Sequence, residues 1–212
     1  MTPTTPQPTM LKALDLFCCA GGATRGLQMA GFHVTGVDIR PQPRYVGDVF
    51  HQDDAMAWLR GEREPLEQFD LVWASPPCQR YSRLTPMQAK QNHPDLLPDV
   101  LNILRNQSVP YIVENVERTQ HIMHSPLFLC GTMFGLNIWR HRWFEIGNYN
   151  TLFLLPPCNH DGHPVLISGC SMRGVAKGNK RPSEPIKMVK EDAIQIDWMI
   201  TKELDEDRKS VV

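Results

Sequence analysis

Short apolar runs alternate with helical patterns along the first half of this 212-residue chain, and several of the runs stop on residues suited to chemistry. Leu14-Asp15-Leu16-Phe17 reads as a strand ending in a Gly21-Gly22 turn, and Arg25 to Ala30 as a helix closed by Gly31. His33 to Val37 reads as a second strand, ending at Asp38. Asp53 and Asp54 precede a helix over residues 55–59, which places acids at its positive end. Phe69 to Ala74 is a strand running into Pro76-Pro77, residues 95–105 an amphipathic helix, and Tyr111-Ile112-Val113 a short buried strand. This alternation implies an α/β domain: a mostly parallel sheet with helices on both faces.

The second half is less regular. Phe128 to Leu136 and Arg142 to Ile146 have strand character, residues 171–190 carry six basic side chains against one acid, and Ala193 to Leu204 reads as a helix. Residues 2–9 hold three prolines and no apolar anchor, which predicts a disordered tail. A net charge of −1, from 22 basic and 23 acidic residues, excludes a globally basic DNA-coating protein but not a local basic patch. No stretch approaches the ~18 consecutive apolar residues of a membrane span, and no secretory signal opens the chain. Six cysteines without a C-x-x-C pair are expected to be thiols of a soluble cytoplasmic protein.

Three signals fall at strand ends, where doubly wound sheets bind ligands. Asp15-Leu16-Phe17-Cys18-Cys19-Ala20-Gly21-Gly22 offers a tight turn, and Asp38 stands about 20 residues further on, suited to a ribose hydroxyl pair. An ordinary strand-to-helix turn explains the glycines equally well, and the spacing departs from G-x-G-x-x-G. In Ser75-Pro76-Pro77-Cys78-Gln79-Arg80-Tyr81-Ser82, two prolines stiffen the loop and fix a thiol in place, as a nucleophile requires; the alternative is a buried cysteine beside a proline turn. Glu114, after Tyr111-Ile112-Val113 and before Asn115-Val116, is costly to bury unless paired or working, although a structural acid at a strand end is the commoner case.

Together, D-L-F…G-G, P-P-C-Q, E-N-V and R-x-R-x-F resemble the cytosine-5 DNA methyltransferase family, over roughly residues 13–146, and especially its short phage and prophage members. The resemblance implies a Rossmann-like fold using S-adenosylmethionine, and a monomer acting on double-stranded DNA. It implies that Cys78 is the nucleophile, that Glu114 holds the target ring, and that Arg140 and Arg142 orient the base, with Gln79 and Asn115 completing the catalytic set. Without it, the arginines read as a solvated strand face. It assigns Asp15, Phe17, Cys19, Ala20, Gly21, Gly22, Asp38, Ile39, Asp54 and Pro76 to the cofactor. DNA contacts are expected from Arg80 and Ser82, and from Arg173, Lys177, Lys180 and Arg181 in a flexible basic stretch whose alternative is a solvated loop. The implied organisation is a tail over 1–10, a catalytic domain over 11–150, a much reduced target-recognition region over 151–188, and a helix and tail over 189–212.

Three departures stand out. Cys19 replaces the family's first glycine, so the turn must tolerate a Cβ. Ile138 replaces a glutamine before the arginines. Only about 40 residues lie between Phe144 and Glu184, which predicts a short recognition site of about two to four base pairs. The short region also keeps open the same chemistry on free dCMP or RNA, or a silent DNA- or cofactor-binding module. Cys158, His160, His163 and Cys170 resemble zinc ligands but fit no standard spacing, so a polar loop without metal is the favoured reading.

Overall fold

Parallel pairing around one central strand organises the structure, a computed structural model describing residues 10–83, 85–136, 138–150 and 154–160. Strand β1 (Leu11–Leu16) is flanked by β2 (Phe32–Asp38) and β4 (Leu71–Ala74), both parallel to it. A strand with parallel neighbours on each side is covered on both faces, which is why Ala13 to Leu16 is a continuous buried run rather than an alternating one. Strand β3 (Val49–Gln52) adds to β2, and β5 (Tyr111–Asn115) to β4, again in parallel. Strands β6 (Leu127–Cys130) and β7 (His141–Gly147) form the antiparallel exception, and the strand order is β3-β2-β1-β4-β5-β7-β6. The expected mostly parallel, Rossmann-like α/β fold is the one found.

Right-handed crossovers then fix where the helices lie. The chain steps one way from β1 to β2 through α1 (Gly22–Met29) and the other way from β4 to β5 through α3 (Leu97–Arg105), so these helices cover opposite faces. Helix α2 (Ala55–Leu59), between β3 and β4, packs against α3. In α3 the buried Leu97, Val100, Leu101 and Leu104 fall at i, i+3, i+4 and i+7, with Asp99 in the first turn and Arg105 in the last. Each of those side chains contributes roughly 1.5–3 kcal/mol by leaving water. Leu27 of α1 reaches Ala13 and Val34, with Phe32, Leu71 and Trp73 around them.

The described residues divide into two compact units. The first takes residues 10–76 together with Leu96–Glu114 and Ile146–Tyr149; the second takes the described residues of 77–95, 115–145 and 150–160. Two elements differ from the sequence reading. Strand β3 was not foreseen, because V-F-H-Q is a short edge strand with no clear alternation. The strand expected over 128–136 stops at Cys130, where a 3-10 turn over Gly131–Phe134 begins, ended by Gly135 at φ 73°. The expected tail, the basic stretch and the helix over 193–204 lie outside the described residues.

Candidate active site

Main-chain hydrogen bonds tie together the carboxyl ends of four strands in the first unit. Cys18 N–H donates to Val37 O at 3.1 Å, Asp53 N–H to Asp38 O at 3.0 Å, and Ser75 N–H to Leu16 O at 3.2 Å. The strand order reverses between β1 and β4, so this is the topological switch point at which an open α/β sheet leaves a crevice.

The turn after β1 is built from left-handed residues: Phe17 at φ 61°, Cys19 at φ 47° and Gly21 at φ 96°. Only Gly21 adopts that conformation without steric cost, so Cys19 holds the strained geometry that its substitution for glycine implied. The conformation has a use. It aims Cys19 N–H at Asp38 Oδ2, 3.0 Å away, while Arg40 N–H donates to Asp38 Oδ1 at 2.9 Å. Asp38 is thus a buried carboxylate fixed by two backbone donors, and beside it Ile39 leaves 66% of its surface in solvent. Ala20 is buried, and Gly22 opens α1, whose first turn has no side-chain cap.

Asp15, within β1, is buried. Thr24 of α1 donates to its Oδ2 at 2.5 Å, and Oδ1 is buried with no hydrogen-bond partner among the described residues. Burial pushes the Asp15 carboxyl up to about 7. Thr24 Oγ1 also lies 3.1 Å from the Tyr45 hydroxyl. Thr24 and Tyr45 were not singled out from the sequence. The available signal was a pair of glycines, since a Cβ on Gly36 or Gly47 would run into the Tyr45 ring. The neighbouring Cys18 thiol is pushed far above its ordinary range by burial, then by Asp15 and Asp38, which makes it an inert thiol.

Two further acids close this side. Asp54 caps α2, its Oδ1 accepting from Met56 N–H at 2.9 Å. Asp53 accepts from Arg63 Nε at 2.5 Å and from Trp58 Nε1 at 3.1 Å, and the Arg63 hydrogen bond holds its carboxyl well below the usual carboxylate range. Pro76, which follows β4 and ends this unit's first segment, is buried.

Cys78 belongs to the second unit, four residues beyond the end of β4. Its carbonyl accepts from Tyr81 N–H at 3.0 Å and Ser82 N–H at 2.9 Å, a tight turn that leaves the thiol half-buried. Gln79 is buried, and its Oε1 has no hydrogen-bond partner among the described residues. Arg80 is exposed and pairs with Asp95 at 3.1 Å; Asp95 also accepts from the Tyr81 hydroxyl. Glu114, in the first unit, stands on β5 with Ile112 on the half-buried face, opposite Tyr111, Val113 and Asn115. Asn115 is buried and accepts Val116 N–H at 2.9 Å. Arg140 is exposed, and half-buried Arg142 donates to His141 O at 2.7 Å. Ile138, in place of the polar glutamine, is buried against Gly131. The structure therefore brings Asp15, Cys19 and Asp38 together and places Cys78, Gln79 and Arg80 in one turn. Arg173, Lys177, Lys180 and Arg181 lie outside the described residues, as do His163 and Cys170. Cys158 and His160 are brought together with Cys130 and His141.

Comparison with known proteins identifies the family. Residues 11–129, more than half of the chain, match the family model for C-5 cytosine-specific DNA methylases, a span that contains Cys78 and Glu114 and stops short of Arg140. The chain is similar to the Type II methyltransferase M.HindV of Haemophilus influenzae, 27% identical over 129 residues covering 53% of this chain. It spans only 40% of the length of that relative. Among solved structures it is similar to the Dnmt2 methyltransferase of S. pombe, at 20% identity and TM-score 0.44, covering 68% of this chain and 51% of that one. It is likewise similar to the Entamoeba histolytica methyltransferase EhMeth, at 17% identity and TM-score 0.43, covering 65% and 52%. With the family model matched over most of the parallel sheet and both strand-end motifs, the chain belongs to the C-5 cytosine-specific DNA methylase family.

Proposed function

We propose that the chain is an S-adenosylmethionine-dependent DNA (cytosine-5) methyltransferase, monomeric and cytoplasmic, acting on a base flipped from duplex DNA. The observation that carries the reading is the placement of P-P-C-Q and E-N-V at the carboxyl ends of the adjacent strands β4 and β5, inside the residues that match the family.

The crevice residues suit the cofactor. Asp38, held by two backbone donors, has lone pairs left for a ribose hydroxyl pair, and exposed Ile39 with Phe17 offers apolar surface to an adenine. Asp54 has a second oxygen left for the adenine amino group. Asp15 Oδ1, buried and unmatched, and the uncapped start of α1 at Gly21-Gly22 are polar groups that a zwitterionic methionine portion would satisfy, with Cys19, Ala20 and Pro76 beside them. When bound, S-adenosylmethionine supplies an electrophilic methyl group on a sulfonium.

Carbon 5 of cytosine is too weakly nucleophilic to take that methyl unaided. Cys78, as thiolate, adds through sulfur to C6, and the C5–C6 electron pair becomes an enamine centred on C5. Glu114 holds N3 and gives it a proton, so charge leaves the ring as the sulfur bond forms. Once C5 is methylated, its proton goes to a base, the N3 proton returns to the Glu114 carboxylate, and the electron pair re-forms the C5–C6 double bond as Cys78 leaves C6 as thiolate. Asn115, accepting from Val116 N–H, holds the loop after β5 in shape, and Gln79 completes the catalytic set beside Cys78. Arg140 and Arg142 present planar guanidiniums suited to the base O2 and to phosphate. Flipping the base costs a few kcal/mol, which backbone contacts from Arg80, Ser82 and the basic residues near 173–181 offset. The similarity to M.HindV fits a place in restriction and modification.

The test is transfer of labelled methyl from S-adenosylmethionine to mixed-sequence duplex DNA, with Cys78→Ser alongside. Label recovered as 5-methylcytosine and lost in the variant is the expected result. Cofactor binding without transfer to duplex would move the substrate to dCMP or RNA, each assayed in parallel, or leave a silent binding module if neither is methylated.

A further inference from the structure

We propose that Cys130, His141, Cys158 and His160 form a structural zinc site that clamps residues 154–160 onto the β6–β7 hairpin. All four lie in the second unit, and one ligand atom from each falls within 4.8 Å of the others.

The hairpin builds half of the site. Cys130, the last residue of β6, is directly opposite His141, the first of β7, in the antiparallel register. Directly opposed residues point to the same face with Cβ atoms about 4.5–5.5 Å apart, within reach of one metal ion. Cys158-x-His160 supplies the other half. Cys130 Sγ lies 3.6 Å from His160 Nε2, and Cys158 Sγ lies 3.8 Å from His141 Nε2. Zinc with Zn–S near 2.3 Å and Zn–N near 2.0–2.1 Å sets ligand-to-ligand edges of about 3.3–3.8 Å in a tetrahedron. Those two S–N distances fit. His160 Nε2 lies closer to Cys158 Sγ, at 2.8 Å, and to His141 Nε2, at 2.9 Å, so a shift of under about 1 Å opens the tetrahedron.

The surroundings are those of a metal site. Thr132 Oγ1 lies 3.3 Å from Cys130 Sγ and 3.7 Å from Cys158 Sγ, so one hydroxyl serves both sulfurs, as outer groups do for zinc thiolates. The His160 ring stacks on Trp139 and on His141, and Phe128 packs edge-on against His141, which fixes both imidazoles. Cys130 is 1% exposed, and both thiols are free. Two sulfurs and two imidazoles in a tetrahedral set select zinc, and four protein ligands leave no open position, so the role is structural rather than catalytic.

Position gives the clamp its meaning. His141 lies between Arg140 and Arg142 in the sequence, and alternation along β7 turns Arg142 to the strand face opposite the metal. The ion would thus set the start of β7 from one side, with the Arg142 side chain on the other. The site stands whether or not those arginines meet DNA.

The test is the metal content of the full chain, expressed untagged and purified under reducing conditions, by elemental analysis. One zinc per chain is expected, falling at least about fivefold in Cys158→Ser and in His160→Ala but not in Cys78→Ser. Cobalt exchanged into the wild type should give the visible bands of a tetrahedral ion with thiolate charge transfer, and both should disappear in the Cys158 variant. Zinc below about a tenth per chain in the wild type, or unchanged in both ligand variants, would overturn the assignment, as would a Cys130–Cys158 disulfide in peptide mapping.

Discussion

Thr24 donates its hydroxyl proton to Asp15 Oδ2 at 2.5 Å, and that single bond is the side-chain support of a carboxyl buried at the centre of the sheet. Its folded value of about 7 stands above an ordinary 3.8 because burial disfavours the charge. Well below pH 3.8 the group is protonated both folded and unfolded and costs nothing. As pH rises toward 7 the unfolded chain releases the proton while the folded chain keeps it, so stability falls, and above 7 the loss is complete, on the order of 4 kcal/mol. Asp15→Asn keeps an acceptor for Thr24 and has no proton to lose. Urea unfolding at pH 4.5, 7 and 8.5 should show the variant gaining on the wild type as pH rises; parallel curves would mean that Asp15 is not desolvated.

The strain at Cys19 is open to a pair of substitutions. A left-handed non-glycine residue costs about 1–2 kcal/mol, and a β-branched one more. Cys19→Val should destabilise the chain by roughly 1–2 kcal/mol and loosen the N–H that Cys19 donates to Asp38. Cys19→Gly should stay within about 1 kcal/mol of the wild type, since relief of strain is offset by unfolded-state entropy. Denaturant midpoints that rank valine and glycine equally would contradict the left-handed geometry.

Tyr45 and Gly36 occupy each other's space, so their substitutions should not add. A methyl on Gly36 meets the Tyr45 ring, and overpacking of this kind costs about 1–3 kcal/mol. On a Tyr45→Ala background the same Gly36→Ala change should cost roughly 0.5 kcal/mol or less. A double-mutant cycle on unfolding free energies should therefore give a coupling of at least about 1 kcal/mol. Additive costs would place the ring elsewhere.

Much of this was legible in the chain, and the rest was lost for physical reasons. Strands β1, β2, β4 and β5 are interior, so their apolar runs and the residues that end them stand out. Strand β3 is an edge strand with little buried surface, which leaves almost no pattern to read. The replacement of glycine by Cys19 announced a strained turn, and φ 47° is that strain. Thr24 and Tyr45 were not legible, because neither belongs to a motif and they meet only through the fold, 21 residues apart. The Cys130–His141 pair is likewise invisible at a spacing that only strand register makes close.

Asp54 carries two roles that one substitution can separate. Its Oδ1 caps α2 through Met56 N–H, and on the reading above its second oxygen meets the adenine amino group. Asp54→Ala should lose both, with about 1 kcal/mol of stability from the cap and a weaker affinity for S-adenosylmethionine. Asp54→Asn has a single side-chain oxygen, and the cap claims it in the free protein. Stability should then hold within a few tenths of a kcal/mol, while affinity measured by calorimetry falls about tenfold, the worth of one charged hydrogen bond. Full affinity in the asparagine variant would leave Asp54 a helix cap and nothing more.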